Sequence, residues 1–117
     1  MNKRKTGSER EETVCRYLTE KGYTIADRNF YSRFGEIDIV ALRDGFICFV
    51  EVKYRSSDSA GMPEEAVNSA KIKKISKTAE FYLLSHKQYK DMQPRFDVAA
   101  VLPGGIRYHE NAFSYGS

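Results

Sequence analysis

The chain has 117 residues, 41% hydrophobic and 30% charged, a balance that suits one globular domain and leaves little room for a second. Nineteen Lys and Arg against sixteen Asp and Glu give a formal net charge of +3 and a pI near 8.8, which permits a nucleic-acid or phosphate partner without requiring one. The composition excludes a disordered chain, and no unbroken apolar run is longer than Phe46 to Val50, far too short to span a bilayer, so no membrane partner is expected.

The opening Met1-Asn2-Lys3-Arg4-Lys5 is basic, but no apolar stretch follows it, so an export signal is not expected. Cys15 and Cys48 lie in apolar patterns and are too few for a disulfide framework or a metal cage. A reducing, cytoplasmic setting is expected, with both as small core residues. His86 and His109 are far apart and lack metal-like spacing. Residues 1–117 read as a single domain, with a basic N-terminal arm at 1–6 and a polar, loose tail at 110–117.

From about Gly7 to Lys21 the pattern is helical. Glu11, Val14, Cys15 and Leu18 fall on one face, and Gly22 fits the stop after the last turn. Residues 23 to 29 read as a short strand, followed by a polar loop with Ser32, Arg33 and Gly35. Residues 36–42 and 46–53 are two β-rich runs separated by Arg43-Asp44-Gly45, and Asp-Gly in that setting is a strong hairpin signal. Residues 55–63 form a loop, and Pro63 fits the first turn of a helix running from Glu64 to about Ser85. On that helix Ile72, Ile75, Ala79 and Tyr82 share a face, while Lys71, Lys73, Lys74 and Lys77 populate the rest. Pro94 breaks the chain. Strands follow at 96–102 and, after Gly104-Gly105, at 106–109. The order α-β-β-β-α-β-β specifies an α/β fold: a mixed β-sheet flanked by helices.

A two-residue Asp44-Gly45 turn pairs Arg43 with Phe46. Continued down the hairpin, that register sets Asp38 opposite Glu51 and Glu36 opposite Lys53, whereas a three-residue turn would throw the two acids onto opposite faces. In the first register their Cβ atoms are about 5 Å apart, and Lys53 lies on the same face about 7 Å along the strand. Like charges directly opposite destabilise a sheet, so something must offset them. A divalent cation does so, and Mg²⁺ commonly takes one or two carboxylates and keeps several waters. Otherwise one of the two acids stays protonated. A solvated face with a Glu36–Lys53 pair is the plainer alternative. Against it, both faces of Phe46–Val50 are apolar, so the acids stand where a buried layer ends. Glu11 shares the apolar helix face and points toward the sheet, either as a further ligand or as a solvated flank.

The strings Gly35-Glu36-Ile37-Asp38 and Glu51-Val52-Lys53 look like the D…E-x-K core of restriction-endonuclease-like nucleases. With Tyr17-Leu18, Gly22-Tyr23, Arg28-Asn29, Phe49-Val50, Glu65-Ala66-Val67, Lys71 and Arg95-Phe96-Asp97, the chain from about Gly7 to Val101 resembles the small YraN-like family of bacterial proteins, related in fold to archaeal Holliday-junction resolvases. The resemblance implies a restriction-endonuclease-like core with Asp38, Glu51 and Lys53 as catalytic residues and Asp38, Glu51 and Glu11 as ligands to Mg²⁺ or Mn²⁺. In this chain Arg10 and Val14 flank Glu11, where the family usually has Gly and a small residue.

The expected activity is hydrolysis of phosphodiester bonds in DNA, on branched or damaged substrates. Arg33, Arg55, Lys71, Lys74 and Lys77, together with Lys3, Arg4 and Lys5, are the candidate phosphate contacts. A solvated helix face is the alternative for the lysines. Asp97 is either a support for the site or an ion-pair partner of Arg95. A homodimer would suit a junction substrate. Two other readings stay open: a nucleic-acid-binding module with a vestigial nuclease site acting through protein partners, and a scaffold in which the acids hold a structural cation.

Overall fold

The apolar run Phe46–Val50 lies in β3 (Phe46–Tyr54), the middle strand of a five-stranded sheet in a computed structural model that describes residues 3–55 and 68–114. On one side β3 pairs antiparallel with β2 (Gly35–Arg43), and on the other it pairs parallel with β4 (Gln93–Leu102). The edges are β1 (Thr24–Ser32), antiparallel to β2, and β5 (Gly105–His109), antiparallel to β4. A parallel step needs a crossover. Among the described residues it contains α2 (Ser69–Ser85) and a 3₁₀ turn at Lys87–Tyr89, while α1 (Lys3–Glu20) precedes β1.

One helix covers each face of the sheet. Val14, Cys15 and Leu18 of α1 pack with Ile39, Ala41, Cys48, Val50 and Ala99. Ile75, Ala79 and Tyr82 of α2 pack with Val40, Ile47, Phe49, Phe96 and Val98. Both sides of β3 are therefore dry, as its unbroken apolar run requires. Both cysteines are buried and free. Among the described residues no helix is long and apolar enough to cross a membrane.

The expected element order is realised, and so is the hairpin register. Asp44 (φ 50°) and Gly45 (φ 82°) both take left-handed backbone, the signature of a tight two-residue turn that fixes Arg43 opposite Phe46. Several boundaries differ from expectation. The helix begins at Lys3, so most of the segment read as a basic arm is helical. β1 runs to Ser32, because Phe30, Tyr31 and Ser32 pair with Ile37, Glu36 and Gly35. α2 starts at Ser69 rather than Glu64, with Asn68 as its cap accepting the Lys71 N–H at 2.9 Å; the reading of Pro63 lies outside the described residues. β4 begins before Pro94, which is tolerated because β5 joins β4 only from Val98 onward. The tail is tied down as far as Phe113: the Ala112 N–H donates to the Phe96 carbonyl at 2.7 Å, and the Phe113 ring stacks on Phe96 at 5.2 Å.

Candidate functional site

Strict alternation would place Ile37 and Ile39 on the same face of β2. Instead Ile39 packs under α1 and Ile37 under α2, and their β1 partners, Arg28 and Phe30, split the same way, Arg28 bonding Glu12 of α1 and Phe30 packing under α2. The break falls on the residues between them, Asn29 and Asp38. Asn29 absorbs it with φ 54°, a conformation that Asn adopts more readily than most residues. At the same level the β2–β3 ladder stops. It runs from Arg43–Phe46 to Ile39–Val50 and does not extend to Asp38–Glu51 or Glu36–Lys53. Asp38 Oδ2 accepts the Val52 N–H at 2.8 Å, standing in for the backbone acceptor that the departing strand no longer offers.

The two acids nevertheless meet. Burial, then hydrogen bonding to Glu51 and the charge of Glu51, push the Asp38 carboxyl up to about 8, with the Val52 N–H working the other way. A protonated Asp38 can donate a hydrogen bond to Glu51 in that contact. Glu51 is 8% exposed, and Lys71 Nζ of α2 stands 2.7 Å from its Oε2, a contact of charge and distance more than of directed hydrogen bonding. Lys53 Nζ is 3.9 Å from the same oxygen. Burial and the neighbouring Lys71 lower the Lys53 ammonium below its ordinary value. At Lys71 burial also disfavours the charge, but Glu51 and Lys53 outweigh it and hold that ammonium above its ordinary value.

This donor set fits a hard divalent cation. Two carboxyl groups in contact are the kind of ligands such an ion takes, and the Val52 N–H holds Asp38 through its Oδ2. Beside Glu51 lies a cleft lined by Glu36, Ile37, Phe49, Val50 and Ile75, with about 10 Å³ of free space, room for roughly one water. Among the described residues no group of three or more His, Cys, Asp or Glu is gathered closely enough to hold an ion. The remaining positions would fall to water and backbone carbonyls. Glu11 is one residue removed: its Oε1 accepts from Asn29 Nδ2 at 2.8 Å, and Asn29 is the residue that lies across from Asp38 in the β1–β2 register.

A profile described as "Uncharacterised protein family UPF0102" matches residues 10–101. The chain belongs to this family. It is 46% identical to the "UPF0102 protein" of Lachnoclostridium phytofermentans over the full length of both chains. It is 46% identical to that of Persephonella marina, over 92% of this chain and 91% of the relative. The "UPF0102 protein VP0448" of Vibrio parahaemolyticus is 38% identical over 98% and 97%.

The segment that defines UPF0102 membership contains Glu11, Asn29, Asp38, Glu51, Lys53 and Lys71. The structure brings Asp38, Glu51 and Lys53 together, and adds Lys71, expected to meet phosphate, as the direct partner of Glu51. Arg33, Lys74 and Lys77 gather elsewhere, at the β1–β2 turn. The Arg33 guanidinium lies 5.0 Å and Lys77 Nζ 5.8 Å from the Phe34 ring centroid, and Gly35 sits against Lys74. Arg55 is apart from them, its N–H bonded to the Val101 carbonyl of β4. Asp97 is an ion-pair partner. Wholly buried, it accepts from Arg95 Nε and Nη2, from the Tyr108 hydroxyl at 2.5 Å and from the Asn111 N–H at 2.9 Å. Asn29 and Phe34 are the residues that sequence reasoning did not single out. Arg28-Asn29 was part of the resemblance, but a left-handed Asn inside a strand leaves no periodic trace.

Proposed function

We propose that this chain is a metal-dependent deoxyribonuclease of restriction-endonuclease-like fold, hydrolysing phosphodiester bonds in branched or damaged DNA. The observation that carries the reading is the contact of Asp38 with Glu51 beside two lysines, at the point where the β2–β3 ladder opens. A structural ion pair does not call for two acids in contact in a half-dry cleft. Asp38 and Glu51 would hold Mg²⁺ or Mn²⁺, which supplies Lewis-acid activation of a phosphate and a water. The chain's own groups do the rest. Val52 N–H fixes the Asp38 carboxylate in one orientation. Lys71 keeps its proton and balances Glu51. Lys53, whose ammonium is eased below its ordinary value, orients the attacking water and steadies charge on the phosphate. A two-fold pair of chains would present two such sites to a branched substrate.

A second reading, a nucleic-acid-binding module with a vestigial site, is favoured by one observation. Lys71 already supplies a positive charge 2.7 Å from Glu51. Cleavage of flapped, branched and linear DNA in Mg²⁺ and in Mn²⁺, beside isothermal titration of each metal, separates the two. The nuclease reading expects cleavage that Asp38→Asn abolishes. Equal inactivity of wild type and Asp38→Asn on every substrate overturns it, and DNA binding that survives in that case selects the second.

A further inference from the structure

The β1–β2 turn is docked on α2. The Phe34 N–H donates to Ser32 Oγ at 3.0 Å, and Ser32 Oγ meets Thr78 Oγ1 of α2 at 3.4 Å. Thr78 is fully buried and its hydroxyl donates to the Lys74 carbonyl at 2.8 Å. Gly35, with φ 155°, lies against the helix: a Cβ there would meet Thr78 Oγ1 at 3.4 Å and Lys74 Cβ at 3.6 Å, ordinary contact distances, so it is the backbone angle that favours glycine. The turn therefore has a fixed place beside Lys74 and Lys77. At its tip Phe34 holds a cation from each element, Arg33 from the turn and Lys77 from the helix.

These cations continue a row that starts at the acid pair. Lys71, Lys74 and Lys77 step along α2 by three residues, about 4.5 Å of rise each, so neighbours in the row are adjacent while the row winds about 120° around the helix from Lys71 to Lys77. Lys71 stands at Glu51 and Lys77 at Phe34, so the row spans about 9 Å, roughly the rise of three nucleotides of one DNA strand. Two exposed acids flank it: Glu36 near the acid pair and Glu80, one further step of three along α2 from Lys77. A row of cations at this spacing complements a phosphate backbone. Long cationic side chains lose rotamer freedom when they grip phosphate, and a ring that already holds them reduces that cost.

Resting on the nuclease reading in taking DNA as the ligand, we infer that the DNA backbone runs from the acid pair along α2 and is clamped at the β1–β2 turn by Arg33 and Lys77, with Phe34 as the residue that positions both. Phe34 touches no reacting atom in this scheme; it acts through its two cations.

The test is anisotropy of a fluorescein-labelled flapped duplex in EDTA over a salt series. Arg33→Ala with Lys77→Ala weakens binding roughly 30-fold and lowers the salt slope by about two. Phe34→Ala alone weakens it roughly 5-fold, adds nothing in the double-variant background, and is rescued by Phe34→Tyr but not by Phe34→Leu, which keeps bulk without a ring face. Circular dichroism checks that each variant is folded. Rescue by Phe34→Leu, or a further loss in the double background, overturns the positioning role. A flat salt response, displacement of the duplex by polyglutamate as effective as by unlabelled DNA, or no DNA binding by the wild type overturns the clamp. Cleavage in Mn²⁺ with Asp38→Asn is read in parallel. Clamp behaviour as expected without cleavage removes the nuclease reading and keeps the DNA path, whereas cleavage with no effect of the turn variants does the reverse.

Discussion

Asp38 bonds the Val52 N–H at 2.8 Å, one residue past the Glu51 that register alone would set opposite it. This offset lets the β2–β3 ladder open while β3 stays paired with β4 as far as Tyr54, so the acids gain room without fraying the central strand. Asp38 thus has two tasks that compete: as a carboxylate it serves β3's amide, and as a buried acid against Glu51 it retains a proton.

That competition gives stability a pH signature. The Asp38 carboxyl is raised from 3.8 to about 8 on folding. A group raised in this way contributes stability that is fully present below its unfolded value and is lost as pH rises through its folded value. Metal-free protein should therefore lose stability between about pH 4 and pH 8. Asp38→Asn, which keeps an oxygen for Val52, should flatten that slope and be more stable than wild type at pH 8.5, by on the order of 1–2 kcal/mol. Urea melts at pH 5, 7 and 8.5 in EDTA measure it. A wild-type curve parallel to the variant's across that range would mean that Asp38 is ionised throughout.

On the nuclease reading, Lys71 and a metal ion would compete for Glu51. Lys71→Gln removes the charge 2.7 Å from Oε2, and because its side chain is partly in water the destabilisation should be modest, about 1 kcal/mol. Its effect on metal should go the other way, with Mg²⁺ or Mn²⁺ binding several-fold tighter by calorimetry, since the ion no longer displaces an ammonium. Weaker metal binding in this variant would show that Lys71 supports the ligand instead of opposing the ion.

The sequence was most legible where one local rule decides the outcome. Asp44-Gly45 set the hairpin register, and the two-sided apolar run of β3 announced a central strand. Legibility failed where distant elements meet. Lys71 lies on a helix joined to β3 through a long connection, and no spacing rule carries its ammonium to Glu51. The alternation break at Asn29 and Asp38 is equally silent, because each strand there reads as ordinary and only their shared jog moves Ile37 to the other face. Phe113 looked like tail for the same reason: its partner, Phe96, belongs to another strand.

The Asp97 cluster should prove structural. With no exposure and four donors turned toward it, from Arg95, Tyr108 and Asn111, Asp97 is a buried charge whose partners would be stranded by its loss. Breaking a buried pair from one side costs about 3–5 kcal/mol. Asp97→Ala should lose stability by that much in a urea melt, while metal affinity per folded molecule stays within twofold of wild type. A large loss of metal affinity in protein that remains folded would move Asp97 into the site.

Glu11 should matter less than Asp38. Its Oε1 takes one hydrogen bond from Asn29, and Glu11→Gln preserves that acceptor while removing the charge. If Asp38 and Glu51 are the direct ligands and Glu11 acts only through Asn29 or a water, Glu11→Gln should slow cleavage roughly 10-fold, against at least 1000-fold for Asp38→Asn. Single-turnover rates at saturating Mn²⁺ make the comparison, because saturation removes differences in metal affinity. Equal losses for the two variants would show that the helix acid moves onto the ion when DNA and metal are bound, and Asn29→Ala, which releases it, should then raise the rate.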